Sequence, residues 1–271
     1  MFVVEGATPA TKPKTKSNKM NTINNPVIAT HASSTRSQRY GFISTKDIVD
    51  SFAESGYVPR QIQLAKARKD ENKGFQKHLI RFGHRDLASI NNEASPEFVL
   101  INSHDGTSSA QLSIGLRVFA CLNGLVTGDI FDTIKIYHRS VDVNRFLEAA
   151  TLLRNNVPFL TDRVHAFKQK QLTDAETNQY LVDSLKLRYD EPNEESTKAD
   201  RYDFQNKLYY LNRARRYADS GTNLWETFNR VQENLIKGRT GSGIRRVTSP
   251  TTDLKLNKDL WNLTEQYLLN N

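Results

Sequence analysis

The run from Phe98 to Val126 constrains this chain most. Phe98, Val99, Leu100 and Ile101 are apolar and partly β-branched, a run short enough for one buried strand. Asn102 to Gly106 is a polar turn closed by glycine. Beyond it, Ser108 or Ser109 can cap a helix from Ala110 to Leu122. Such a helix would carry Leu112, Leu116, Phe119 and Leu122 on one face and Ile114, Val118, Cys121 and Leu125 on another, with Asn123-Gly124 as its stop. A helix apolar nearly all round belongs inside a fold. Strand, polar corner and buried helix therefore mark the expected core.

The flanks extend this pattern. Residues 1–38 are rich in Thr, Lys, Asn, Ser and Pro and read as a flexible basic tail that cannot offset its ordering entropy by burial. Ser44-Thr-Lys-Asp47 resembles a capping box, and Ile48, Val49 and Phe52 lie on one side of the helix behind it, which ends at Gly56. Arg60 to Arg68 and Phe75 to Phe82 read as two strands joined by the polar linker Asp70 to Gly74, and Phe131 to His138 as a later one. Helical periodicity then runs over 142–170, 173–188, 201–218, 222–237 and 257–269, with a second capping box at Thr173-Asp-Ala-Glu176. The expected fold is α+β: a helix, a three-strand antiparallel sheet and a buried helix, followed by a largely helical C-terminal half. Residues 39–271 form a single domain, with 39–140 the sheet-containing core and 141–271 the helical half.

Catalytic patterns are absent. Ser103, His104 and Asp105 are the residue types of a hydrolase triad, but adjacent residues on an extended chain point apart and cannot converge. Asn102, His104, Asp105 and Gly106 read instead as a structural corner, its side chains bonding the turn backbone. The six histidines are scattered without metal-ligand spacing, and no Gly-Lys-Ser/Thr loop occurs. No enzyme activity, metal or cofactor is expected. The single cysteine rules out an internal disulfide and reads as a small core residue. With no apolar run of membrane-spanning length and no secretory pattern at Met1 to Glu5, a cytoplasmic protein without a membrane partner is expected.

Charge is the positive signal. The net charge is +8, which favours polyanionic partners. From Arg60 to Arg85, eight lysines and arginines stand against two acids, among them Arg60, Lys66, Arg68, Lys69, Lys77 and Arg81. From Lys198 to Arg246, eleven stand against five, and aromatics interleave with the charge: Tyr209, Tyr210, Arg213, Arg215 and Arg216, then Arg239, Arg245 and Arg246. Cations beside stacking surfaces suit unpaired bases.

Four blocks also resemble the domain of unknown function 932 family of prophage- and plasmid-borne bacterial proteins. They are Leu100 to Ser109, Leu122 to Val126, Trp225 to Gly238 and Leu256 to Trp261, in the family's order, and the likeness covers about 40–268. The resemblance implies a mobile-element gene in a bacterial cytoplasm and brings no established activity. The expected element order is in turn similar to the core of Rad-fifty-two-like single-strand annealing proteins. Together with the basic segments, this gives the expectation of a protein that binds single-stranded DNA and promotes annealing in recombination. As a homo-oligomeric ring or filament it would need no nucleotide or metal. The alternative is a phage interaction protein that meets an acidic host protein through the same basic surface.

Overall fold

The structure, a computed structural model, describes residues 25–67, 69–90, 93–118, 124–126, 133–138 and 142–269. Helix α1 (Thr45–Glu54) begins where the Ser44 hydroxyl accepts the Asp47 N–H, and it packs Ile48 and Phe52 inward. Six antiparallel strands follow: β1 (Tyr57–Leu64), β2 (His78–His84), β3 (Ala94–Asn102), β4 (Ala110–Val118), β5 (Gly124–Val126) and β6 (Thr133–Ile136). The sheet order is β1-β2-β3-β4, and beyond β4 the short β5 and β6 pair with different parts of it. Helices α2 (Asn144–Arg154), α3 (Val157–Gln169), α4 (Asp174–Lys186), α5 (Lys198–Leu211), α6 (Leu224–Lys237) and α7 (Pro250–Leu269) complete the α+β fold.

The buried helix expected from Ala110 is a strand. The reason lies in its period. Leu112, Ile114, Leu116 and Val118 alternate with Gln111, Ser113, Gly115 and Arg117, and the apolar set meets β3 as Leu100↔Leu112 and Phe98↔Ile114. Pairing with β3 on one side and β5 and β6 on the other satisfies a backbone that a helix would have satisfied locally. The remainder of that expected helix, with Cys121, lies outside the described residues, as does Arg68. The helix–three-strand–buried-helix order behind the likeness to annealing proteins is accordingly replaced by strand pairing.

Smaller shifts have local causes. The expected helix over 142–170 divides into α2 and α3 around Asn155 and Asn156, with Pro158 in the first turn of α3. A complete capping box at Thr197 and Asp200 starts α5 before residue 201, while the one at Thr173 and Glu176 stands where the sequence places it. Helix α7 starts at Pro250, seven residues ahead of Asn257. Residues 25–38, assigned to the tail, lie against the body: Val27 is in the core and the Ser33 N–H bonds the His104 carbonyl at 2.9 Å.

The sheet has two covered faces. On one, Ile80, Phe82, Phe98, Leu100, Leu112 and Ile114 join residues of α1 and α2 in the main core. On the other, Leu79, Val99 and Ile101 pack under Leu254 of α7. Strand β1 forms one edge, with Val58, Ile62 and Leu64 exposed along it.

Candidate nucleic-acid interface

The second face of the sheet carries the densest charge. Across β1 and β2 the register slips between Pro59 and Gln61, leaving Arg60 as an extra residue, and such a bulge re-aims its side chain. The Arg60 guanidinium lies over Gly83, where an added Cβ would come within 2.1 Å of its central carbon, and donates to Ser95 Oγ at 2.8 Å. Next to it, Arg81 of β2 and Glu97 of β3 form an ion pair at 2.5 Å, with side chains 3% and 0% exposed. Burial pushes the Glu97 carboxyl up, and Arg81, Arg117 and Arg60 pull against that shift. The Arg60 guanidinium is pushed down by burial and by the like charge of Arg117 on β4. Two cations repelling one another over a single acid create a field that favours an anion.

The end of α6 closes this region from above. Gly238 caps the helix at φ 66°, and an added Cβ there would meet the Ile244 carbonyl oxygen at 2.3 Å. Only glycine lets residues 244–247 fold back this closely, and the Val247 N–H then bonds the Ile236 carbonyl at 2.8 Å. The turn sets Arg246 beside Lys237 over the sheet. Between roof and sheet lies a cavity of about 650 Å³, walled by Arg60, Arg81, Arg117, Lys237 and Arg246, with Glu97 and Asp253 as its acids. A second cavity adjoins it, sharing Lys237 and Arg246 and adding Arg215 and Arg239.

Aromatic rings extend the groove. The Arg239 guanidinium lies 5.9 Å from the Tyr210 ring centre, Tyr210 meets Tyr209 edge-on at 5.2 Å, and Arg213 covers Tyr209 at 5.1 Å. Tyr209 is 56% exposed, so its ring remains open to a stacking partner. Arg215 is anchored by Asn234 Oδ1 at 2.9 Å and by the Gly238 carbonyl.

The two basic segments of the sequence thus meet: Arg60 and Arg81 from the first, Arg215, Arg239 and Arg246 from the second. Others stand apart. Lys66 is exposed beyond β1, Lys69 pairs with Glu71 at 3.6 Å, and Lys77 donates to Thr251 Oγ1 at 3.0 Å. Arg216 bonds both Asp219 and Glu233 at 2.6 Å, and Arg245 is exposed with its N–H on the Tyr189 hydroxyl. Arg117, Lys237, Glu97 and Asp253 were not expected. Arg117 is hidden by the helical reading of its strand, whereas Glu97, an acid at the head of the apolar run Phe98–Ile101, signals a buried partner.

The corner belongs to the opposite face. Thr45 Oγ1 lies 2.8 Å from His78 Nε2 and 3.2 Å from His104 Nε2, and Asn102 Nδ2 donates to it at 2.9 Å. Since His78 Nδ1 faces the Gln76 carbonyl at 3.0 Å, that nitrogen carries the proton, and Nε2 accepts from the threonine hydroxyl. Burial lowers His78 to about 4; burial and the neighbouring His78 lower His104 to about 3. Asp105 accepts from the Thr107 N–H at 3.1 Å and hydroxyl at 2.6 Å, and Gly106, at φ 72°, sits under the Arg36 guanidinium. Thr45, His78, Asn102 and His104 thus form a buried knot around one hydroxyl, with no ion pair in it.

Among the described residues no group of three or more His, Cys, Asp or Glu could hold a metal ion, and no helix is long and apolar enough to cross a membrane. No solved structure matches the chain. Two proteins of Escherichia coli (strain K12), the UPF0380 proteins YafZ and YfjQ, are each 30% identical to it over 241 residues, spanning 86% of this chain and 84% of the relative. The family model described as Domain of unknown function (DUF932) matches residues 32–261, and the chain belongs to that family.

Proposed function

We propose that this protein binds single-stranded DNA along the groove from Arg60 and Arg117, past Lys237 and Arg246, to Tyr210, Tyr209 and Arg213, and so assists recombination of a mobile element. One observation carries the reading: basic side chains remote in sequence converge on two adjoining cavities that continue into arginine-covered tyrosines. Guanidinium groups hold a phosphate backbone of any sequence, and exposed rings stack bases that are not already paired. Annealing would need copies of the chain side by side on a long strand, with the open edge of β1 as their meeting place. Light scattering with and without a long oligonucleotide checks that step; a monomer in both limits the role to binding.

The test is fluorescence anisotropy with a labelled single strand and its duplex across a salt series. Tighter binding to the single strand is expected, with log K falling by about 0.7 per contacted phosphate for each decade of salt. No binding at low salt would overturn the reading and turn attention to an acidic protein partner.

A further inference from the structure

The basic groove has one feature that phosphate binding leaves unused. Glu97 is wholly buried at the centre of the sheet, and its Oε1 accepts from Arg81 at 2.5 Å. Its Oε2 is also buried and has no hydrogen-bond partner among the described residues. Glu97 is also among the residues around the main cavity. Gly115, its register partner across β3 and β4, adds no side chain to fill the space beside it. A buried carboxylate oxygen without a donor is costly, and in a site for phosphate alone an acid would be a liability. The cavity floor therefore calls for an N–H group while its walls call for an anion.

A nucleotide carries both. We propose that the cavity admits one unstacked base of the bound strand, and that Glu97 Oε2 accepts a hydrogen bond from the base's exocyclic amine while Arg60, Arg117 and Arg246 hold the flanking phosphates. The proposal rests on the groove reading above and names what the groove selects. A carboxylate accepts well from cytosine N4, and the Arg81 guanidinium beside it offers a donor for the adjacent ring nitrogen. Thymine fits poorly. Its single N–H lies between two carbonyl oxygens, which a carboxylate repels. At about 650 Å³ the cavity falls within the ordinary range of ligand sites and is open enough for a base turned out of a strand.

Anisotropy titrations of the full chain with labelled oligo(dC) and oligo(dT) of equal length, at one salt concentration, test this. Oligo(dC) should bind roughly 10-fold more tightly, the order of one base-specific contact. In Glu97→Gln the amide can also donate to the thymine O4, so the ratio should fall to about 1. Because that change leaves Arg81 without its counter-charge, its fold is checked by circular dichroism. A second measurement on the unaltered protein, displacement of bound oligonucleotide by dCMP against dTMP, should show the same preference. Equal affinity for oligo(dC) and oligo(dT) would overturn base selection and leave the groove standing. A folded Glu97→Gln that keeps the full ratio would remove Glu97 from the role. No binding to either oligonucleotide would overturn both readings.

Discussion

The two faces of the sheet bury polar groups in opposite ways. On the α1 side, Thr45, His78, Asn102 and His104 are joined in a neutral knot in which one hydroxyl serves three neighbours. On the other, Arg81 and Glu97 are buried as ions, with Arg60 and Arg117 nearby and a cavity above them. The first is held by that shared hydroxyl, contains no ion pair and adjoins no charged cavity. The second keeps surplus positive charge and one unused carboxylate oxygen beside open space. Uncharged polar burial away from open space ties elements together; an orphan oxygen among buried ions and beside a cavity marks a place where something else is to be supplied.

Glu97→Ala gives the sharpest break. It strands the buried Arg81 guanidinium and should cost roughly 3–5 kcal/mol in urea unfolding. Replacing both members by methionine should recover most of that loss, since buried ion pairs exchange for apolar groups at little net cost. A double variant as unstable as the single one would mean that the charge on this face is needed for folding itself.

Acid separates the faces by sign. His78 and His104 are lowered from 6.5 to about 4 and about 3, so the unfolded chain binds more protons than the folded one between those values and 6.5. Their contribution is complete above pH 6.5 and is lost as pH falls. By pH 5 the loss should be roughly 2–4 kcal/mol. Burial raises Glu97 and Asp253, so their linkage runs the other way. A stability profile flat or rising from pH 6.5 to 5 would place the dominant linkage on the charged face.

Thr45→Val tests whether the knot is a unit. It removes the hydroxyl shared by His78, His104 and Asn102 while keeping the side-chain shape, and a loss of roughly 1–3 kcal/mol is expected by thermal melting. Oligonucleotide affinity per folded molecule should not change.

How far the sequence reveals these two faces differs between them. The turn at Asn102 to Gly106 is legible from its turn residues, whereas the partners Thr45 and His78 come from other elements. The α+β class followed from period-2 and period-3.6 runs, and the box at Thr173 marked the start of α4. The sequence of β4 imitates a helix because Leu112, Leu116 and Phe119 also satisfy helical spacing; the alternation from Gln111 to Val118 and the glycine at 115 carry the contrary signal. The cavity could not be read at all. Its lining residues are separated by as many as 193 positions, from Arg60 to Asp253, and only strand register and the fold-back after Gly238 bring them together.

The smallest expected effect on stability is also the most informative about the groove. Arg60 and Arg246 are both exposed, and neither makes the buried pair that holds the second face together. Arg60→Ala with Arg246→Ala should therefore shift unfolding by only about 1 kcal/mol, the worth of the Arg60–Ser95 hydrogen bond. If each side chain meets one phosphate, the slope of log K against log salt should become shallower by about 1.4. Tyr209→Ala at the far end should leave that slope alone and weaken binding by roughly 1–3 kcal/mol, the scale of one stacked base. An unchanged slope in the double variant, in a protein that still binds, would move the strand off the charged face altogether. The comparison would then invert: the incomplete charge over β1 to β4 would be a structural compromise, and the tyrosines of α5 would be the whole of the interface.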